Sequence, residues 1–179
     1  EPLRGNLDTR LKKLDQGHYA GIVLASAGLI RLGLKDRIRH IFDLQHMIPA
    51  AGQGAIGIEI SAARMDLVQT LASLNDITTA AAVYAERGVS RAMGGSCSMP
   101  LAAHATIHEG ILRIHAAWGD HLKAGAALIH AHDQAAIDLQ NPDALAMASA
   151  LGVSVAQKLI AQGAVPTHAP SATPHVPTL

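Results

Sequence analysis

A single side chain in these 179 residues carries a thiol. Cys97 sits in Gly94-Gly95-Ser96-Cys97-Ser98-Met99-Pro100. The glycine pair lets the backbone turn where a Cβ would clash, and Pro100 stops a helix from running through. The spacing predicts a thiol mounted on a loop between two ordered elements. Two chemistries are open to it. A free cysteine packs as a small, inert, apolar group. A thiolate makes covalent bonds to electrophiles. Taken alone, Cys97 favours the inert reading, and the remaining residues have to shift that balance.

The arginines are the second group. Arg4-Gly5-Asn6 with Thr9-Arg10 places two guanidinium groups and an amide around the start of a predicted helix. A helix N-terminus already attracts anions through its free N–H groups and its dipole. Arginine adds bidentate contacts to carboxylate or phosphate. Arg31 closes the next β-α step and could face the same cleft. The plain alternative is that all three are ordinary surface charges. Gly52-Gln53-Gly54 lacks the lysine and the length of a phosphate loop; it reads as a flexible crossing in which Gln53 could donate to a ligand. Glu86-Arg87 lies just before the glycine pair and could brace the loop through an ion pair. The histidines number eleven, but none falls in a zinc-type motif and no second cysteine is present, so no metal is expected. No carboxylate pair stands out as general acid and base, and no Ser-His-Asp pattern can be assembled.

These residues need elements to hold them. Asp8 or Thr9 can cap a helix to about Gln16, with Leu7, Leu11 and Leu14 on one face and Gly17 after it. Tyr19–Ala25 reads as a buried strand, Ser26–Leu32 as a helix closed by Gly33, and Lys35–Phe42 as a further helical turn or two. Pro49-Ala50-Ala51-Gly52-Gln53-Gly54 is a breaker cluster and a domain crossing. Ala55–Ile60 reads as a strand, and residues 62–74 as a helix with Met65, Val68, Leu71 and Leu74 on one side. Asp76 or Thr78 caps the next helix, whose face Ala82, Ala85, Val89 and Met93 leads to the glycine pair. Beyond Pro100 the period becomes two. Leu101–Ile107, a turn at His108-Glu109-Gly110, Leu112–Trp118 and Lys123–His132 form an antiparallel meander with one apolar face. His104, His108, His115, His130 and His132 fall mostly on its polar face. A helix from Asp143 to about Gln162 covers the other face with Met147, Leu151, Val155 and Leu159. The tail 165–179, with four prolines, is expected to be disordered.

Composition narrows the class. The apolar fraction is 49% and aromatics are 2%, so the core is aliphatic and no base-stacking platform is available. Lys+Arg and Asp+Glu are 14 each, which argues against a nucleic-acid partner. One cysteine forms no internal disulfide, in keeping with a reducing, cytoplasmic setting. No apolar run is read as membrane-spanning and no signal peptide opens the chain. The chain starts at Glu1 without a Met and is read as a fragment or processed piece.

In order along the chain, four motifs carry a resemblance. Arg4-Gly-Asn-Leu-Asp-Thr-Arg10-Leu-Lys-Lys-Leu-Asp comes first, followed by Ala27-Gly-Leu-Ile-Arg31-Leu-Gly. Pro49-Ala-Ala-Gly-Gln-Gly-Ala-Ile-Gly-Ile-Glu59 is third. Glu86-Arg87 with Gly94-Gly-Ser-Cys97-Ser-Met-Pro100-Leu-Ala is the fourth. Together they resemble the porphobilinogen deaminase (hydroxymethylbilane synthase) family, over roughly residues 3–163. Most members of that family have Gly-Gly-Cys-Gln-Val-Pro or similar, where this chain has Ser96, Ser98 and Met99.

The resemblance implies a transferase of tetrapyrrole (haem, porphyrin) biosynthesis that condenses four porphobilinogen units stepwise, releasing ammonia. It implies a dipyrromethane cofactor joined to Cys97 by a thioether. Arg4 and Arg10 would bind that cofactor's carboxylates. Arg4, Arg31, Gln53 and Gly54 would bind substrate. The implied fold is half of a periplasmic-binding-protein-like α/β domain plus a C-terminal α+β domain, whose three-stranded antiparallel sheet is covered by helices. Residues 1–48 would be the C-terminal half of the second domain. Residues 49–75 would be the return strand and helix of the first, and 76–164 the third domain, with 165–179 as tail. The family is usually monomeric and nearly twice this length, so the partner implied is an N-terminal part of the same enzyme. That part would hold the catalytic aspartate, no catalytic residue is assigned within this chain, and the fragment alone should be inactive. The alternative is a non-catalytic piece that binds small anions, with Cys97 merely structural.

Overall fold

The computed structural model describes residues 3–95, 99–120, 122–123 and 125–167. The chain divides into two units, Glu1–Asp43 and Leu44–Leu179.

In the first unit, helix α1 (Leu7–Asp15) is capped by Asn6, whose side chain accepts the Thr9 N–H at 2.9 Å. The cap lies two residues before the expected Asp8, because the Asn6 amide oxygen reaches both the N–H and the hydroxyl of Thr9. Leu11 is buried, and Gly17, with φ +76°, follows the helix end. Helix α2 (Ser26–Arg31) and a single 3-10 turn (Lys35–Arg37) follow, and Arg37 is ion-paired with Asp15. Residues 19–25, expected as a strand, form no ladder. A strand is defined by a hydrogen-bonded neighbour, and no described residue supplies one, so Val23 stays exposed.

The second unit holds the core. Helix α3 (Met65–Leu71) continues into a short 3-10 turn (Ala72–Leu74). Helix α4 (Ile77–Ala92) starts at the cap Asp76, which accepts the Thr79 N–H at 2.6 Å. Strands β1 (Leu101–His108), β2 (Ile111–Trp118) and β3 (Ile129–Ala136) form one antiparallel sheet in the order β1-β2-β3. Glu109 and Gly110 both have positive φ, at 51° and 72°, which is the twist a two-residue hairpin needs. Helix α5 (Ala144–Ala161) then packs with α4 over one face of the sheet. The C-terminal α+β unit expected from the sequence, a three-stranded antiparallel sheet covered by helices, is the one observed; the first unit shows helices only among its described residues.

Four local expectations change. The third strand begins at Ile129 and runs to Ala136, not from Lys123 to His132. Asp120 holds Leu122 and Lys123 in a turn, and Gly125 at φ +78° prolongs it, so pairing with β2 starts later. Residues 55–60 form no strand pairing with any described residue, and Ile56 and Ile58 are exposed. Met147 is 46% exposed. Val155 and Leu159 face inward as expected, but the rest of the inner face is Ala144, Ala148, Gly152 and Ala156, because α4 approaches too closely for a large residue there. A Cβ on Gly88 would collide with the Ser149 carbonyl, and one on Gly152 with the Ala85 carbonyl. Finally, α5 is long and apolar enough by composition to cross a membrane. Here that composition lines the core beneath the sheet. The expected disorder of the tail concerns positions that, from residue 168 on, lie outside the described residues.

Candidate functional site

The site residues fall into both units, and each group is built by its own unit. In the first unit, Arg4 is exposed just before α1. Arg10 is half-buried, and its Nε donates to the Gly5 carbonyl at 2.8 Å. That bond holds the guanidinium back along α1 toward its N-terminus, while both Nη groups lack a partner among the described residues. Gly5 has φ +119°, and a Cβ there would crowd the Thr9 side chain, so the turn before α1 is tight by necessity. The result is two guanidinium groups and a capped N-terminus on one short segment, as the sequence suggested. Arg31 occupies the last turn of α2 and is exposed.

In the second unit, the crossing Gly52-Gln53-Gly54 is a double turn. The Gln53 N–H donates to the Ala50 carbonyl at 3.0 Å, and the Ala55 N–H to the Gly52 carbonyl at 3.2 Å. Gly52 and Gly54 have φ of 76° and 89°, so side chains there would be strained. The turn leaves Gln53 and Gly54 exposed. A cavity of about 650 Å³ opens beside it, with Gly52, Ile56, Ile58, Tyr84 and Arg87 in its walls.

Glu86 fastens this crossing, and its role was not legible as an ion pair with Arg87. Among the described residues no such pair exists. The Glu86 side chain is 5% exposed and turns inward. Its Oε2 accepts the Gly52 N–H at 2.7 Å, and its Oε1 accepts the Ala105 N–H at 2.8 Å, with His104 Nδ1 at 3.4 Å. The Ala103 N–H donates to the Pro49 carbonyl at 3.1 Å. Together these cover the free edge of β1, which would otherwise present unpaired N–H groups. A signal for this was present. Glu86 shares the helical face of Ala82, Val89 and Met93, where a charged residue must find partners.

Helix α4 ends at Ala92, with Met93 as its C-cap. The Gly94 N–H donates to the Arg91 carbonyl and the Gly95 N–H to the Ser90 carbonyl, with both glycines at positive φ. This closes the helix with glycines in the left-handed region, as helix ends commonly do. On the far side Met99 is buried, and the Pro100 carbonyl accepts the Gly119 N–H at 2.9 Å. Both ends of the cysteine loop are thus tied to the core. Ser96, Cys97 and Ser98 lie outside the described residues.

The open face of the sheet carries His104, His115, His130 and His132. Burial lowers the His115 pKa from its usual 6.5, with neighbouring His130 and His132 acting in the same direction. Asp133 points the other way, toward α5, and accepts from Ser154 and Lys158. Its carboxyl is held below the ordinary 3.8, chiefly by the Lys158 hydrogen bond and further by the Gln134 N–H and Ser154.

Fold and site together define a two-unit α+β protein whose second unit presents a cysteine loop from a fixed helix end. Comparison with known families is specific. A family model described as "Porphobilinogen deaminase, dipyromethane cofactor binding domain" matches residues 1–69, and "Porphobilinogen deaminase, C-terminal domain" matches residues 80–161. A porphobilinogen deaminase of Albidiferax ferrireducens is 59% identical over 159 residues, covering 89% of this chain and 49% of the relative. Proteins of the same name from Burkholderia mallei and Burkholderia pseudomallei are 53% identical over 163 residues, covering 91% of this chain and 47% of theirs. The chain belongs to the porphobilinogen deaminase family. It spans about half the length of the curated relatives it matches.

Proposed function

We propose that this chain supplies the C-terminal portion of a porphobilinogen deaminase, a cytoplasmic transferase that condenses four porphobilinogen units with release of ammonia. In this reading residues 1–48 complete an α/β domain, 49–75 return to a first domain, and 76–164 form the third. The observation that carries it is the tie through Glu86. One helix, α4, both fastens the Gly-Gln-Gly crossing and ends at the cysteine loop.

The donor set suits a cofactor bearing several carboxylates. Arg4 is free toward solvent, Arg10 keeps its Nη groups available, and the cysteine loop is anchored at both ends. Bound, the dipyrromethane supplies the pyrrole terminus on which the product is assembled. Cys97 holds it through a thioether, so the sulfur is a tether and not a nucleophile that turns over. Arg4 and Arg10 bind its acetate and propionate groups, and Arg4, Arg31, Gln53 and Gly54 bind and orient substrate. The proton-handling aspartate belongs to an N-terminal part that this chain does not contain.

The test is complementation. The 179-residue chain alone should form no uroporphyrinogen from porphobilinogen, and co-expression with an N-terminal half from a relative should restore activity. Intact mass of the restored enzyme should show two pyrrole units on wild-type protein and none on Cys97→Ser. Robust turnover by the chain alone would sink the split-site reading, and full activity in Cys97→Ser would sink the tether.

A further inference from the structure

Four histidines crowd the sheet face that the helices leave open. The register sets His104, His115 and His132 directly opposite one another across the three strands. His130 shares a face with His132, because side chains two apart on a strand point the same way. His115 lies between them, its ring centroid 5.4 Å from His130 and 6.0 Å from His132. The closest approach is His115 Nε2 to His130 Nδ1, at 3.4 Å.

That spacing is long for a hydrogen bond, which ordinarily falls at about 2.7–3.2 Å. It matches a chelate bite. With metal–nitrogen bonds of about 2.0–2.1 Å, the ligand-to-ligand edge of a tetrahedron is about 3.3–3.4 Å. Imidazole nitrogens suit zinc, nickel and copper ions. Among the described residues no three His, Cys, Asp or Glu side chains already surround one point, so the pair is the anchor. A cavity of about 570 Å³, lined in part by His104, Arg113, His115 and His132, opens on the same face and gives solvent access to the His115 side of the pair. The nearby cations are engaged elsewhere. Arg113 donates to Gln134, and Lys158 is paired with Asp133.

We propose that the open sheet face binds one divalent transition-metal ion, clamped between His115 Nε2 and His130 Nδ1. His132 turns in as a third ligand and water completes the shell. The site lies outside the arginine, crossing and cysteine-loop groups and owes nothing to the assigned reaction.

Calorimetric titration of the tag-free, metal-stripped chain with zinc chloride at about pH 8, where imidazoles are neutral, tests it. One ion per chain should bind with a micromolar dissociation constant. His115→Gln and His130→Gln should each weaken binding about tenfold or more, and His132→Gln should weaken it less. His40→Gln and His108→Gln should leave it unchanged. NMR of the wild-type imidazoles on zinc addition gives a second readout that needs no variant, with the His115 and His130 rings shifting first. Absence of binding at about 1 mM zinc overturns the proposal, as does a His115→Gln/His130→Gln double variant that binds like wild type, or ring shifts confined to other histidines.

Discussion

Replacing Glu86 with alanine should be among the most damaging single changes in the second unit. The carboxylate is buried and accepts two backbone N–H groups, Gly52 at 2.7 Å and Ala105 at 2.8 Å. Hydrogen bonds to a charged group contribute about 1.5–3 kcal/mol each. Against that stands the cost of burying the carboxylate itself, which alanine removes. Truncation leaves the Ala105 N–H buried without a partner, frees the crossing, and opens a small void. The balance is a loss of about 3 kcal/mol, a large share of a typical domain's 5–15 kcal/mol. Glu86→Gln keeps one acceptor oxygen but turns an NH₂ group toward an N–H donor, and should lose about 2 kcal/mol. Urea unfolding followed by Trp118 fluorescence reads the difference, since Trp118 is buried at the end of β2. Amide exchange gives the site-specific signature: in Glu86→Ala the Gly52 and Ala105 N–H groups should lose protection ahead of the rest of β1. A loss below about 0.5 kcal/mol, or a Gly52 amide still protected in Glu86→Ala, would refute the assignment of Glu86 as the fastener.

Other outcomes follow from packing and charge. Gly152→Ala should destabilise by about 2 kcal/mol in thermal melts, because its Cβ meets the Ala85 carbonyl and outweighs the roughly 1 kcal/mol gain in helix propensity. Gly28→Ala in α2 meets open space and should be neutral or stabilising in the same assay. Asp133→Asn should cost about 1 kcal/mol or less, since the Lys158 pair is half exposed. The sign follows from the lowered Asp133 carboxyl. The unfolded chain binds that proton more readily, so stability rises with pH. The contribution is present above the ordinary carboxylate range and is lost as pH falls below about 4, so wild type and Asp133→Asn should converge in acid melts.

What the sequence disclosed depended on whether the signal was local. Asp76 as cap, the 82-85-89-93 face, the Glu109-Gly110 hairpin and the extent of α5 are set by near neighbours, and all are present in the structure. The buried-type runs 19–25 and 55–60 have strand composition, but a ladder needs a second chain segment, which composition cannot reveal. On the inner face of α5 the expected Val155 and Leu159 are buried and Leu151 packs against the core, while Met147 is exposed. The α4 contact instead selects Ala148, Gly152 and Ala156, residues small enough for two backbones to touch. Arg4, Arg10, Gln53 and Gly54 were singled out by residue type alone, and the structure shows Arg4, Gln53 and Gly54 exposed and Arg10 half-buried. The role of Glu86 was not legible, because its partners are main-chain groups distant in sequence.

The Glu86 contacts also bear on how a tethered cofactor could be presented. From Glu86 to Ala92 the chain climbs about 9 Å along α4, at about 1.5 Å per residue. That helix is rigid, because Ala81, Ala85, Val89 and Met93 are fully buried along its length. The crossing is therefore fixed relative to the near end of the cysteine loop, and Met99 with Pro100 fixes the far end. A group on Cys97 is thus carried between two anchors, Gly95 and Met99, that α4 and the core hold in place. The anchor at Gly95 is the one a single substitution can alter without touching the core. Gly95, at φ +67°, has open space around its missing Cβ. Gly95→Ala should therefore leave the core intact, with a small stability loss from the strained conformation, of about 1 kcal/mol. In the complemented enzyme it should slow the later condensations more than the first. Equal slowing of every step, resolved by single-turnover mass spectrometry, would show that the Gly95 anchor does not govern the later steps.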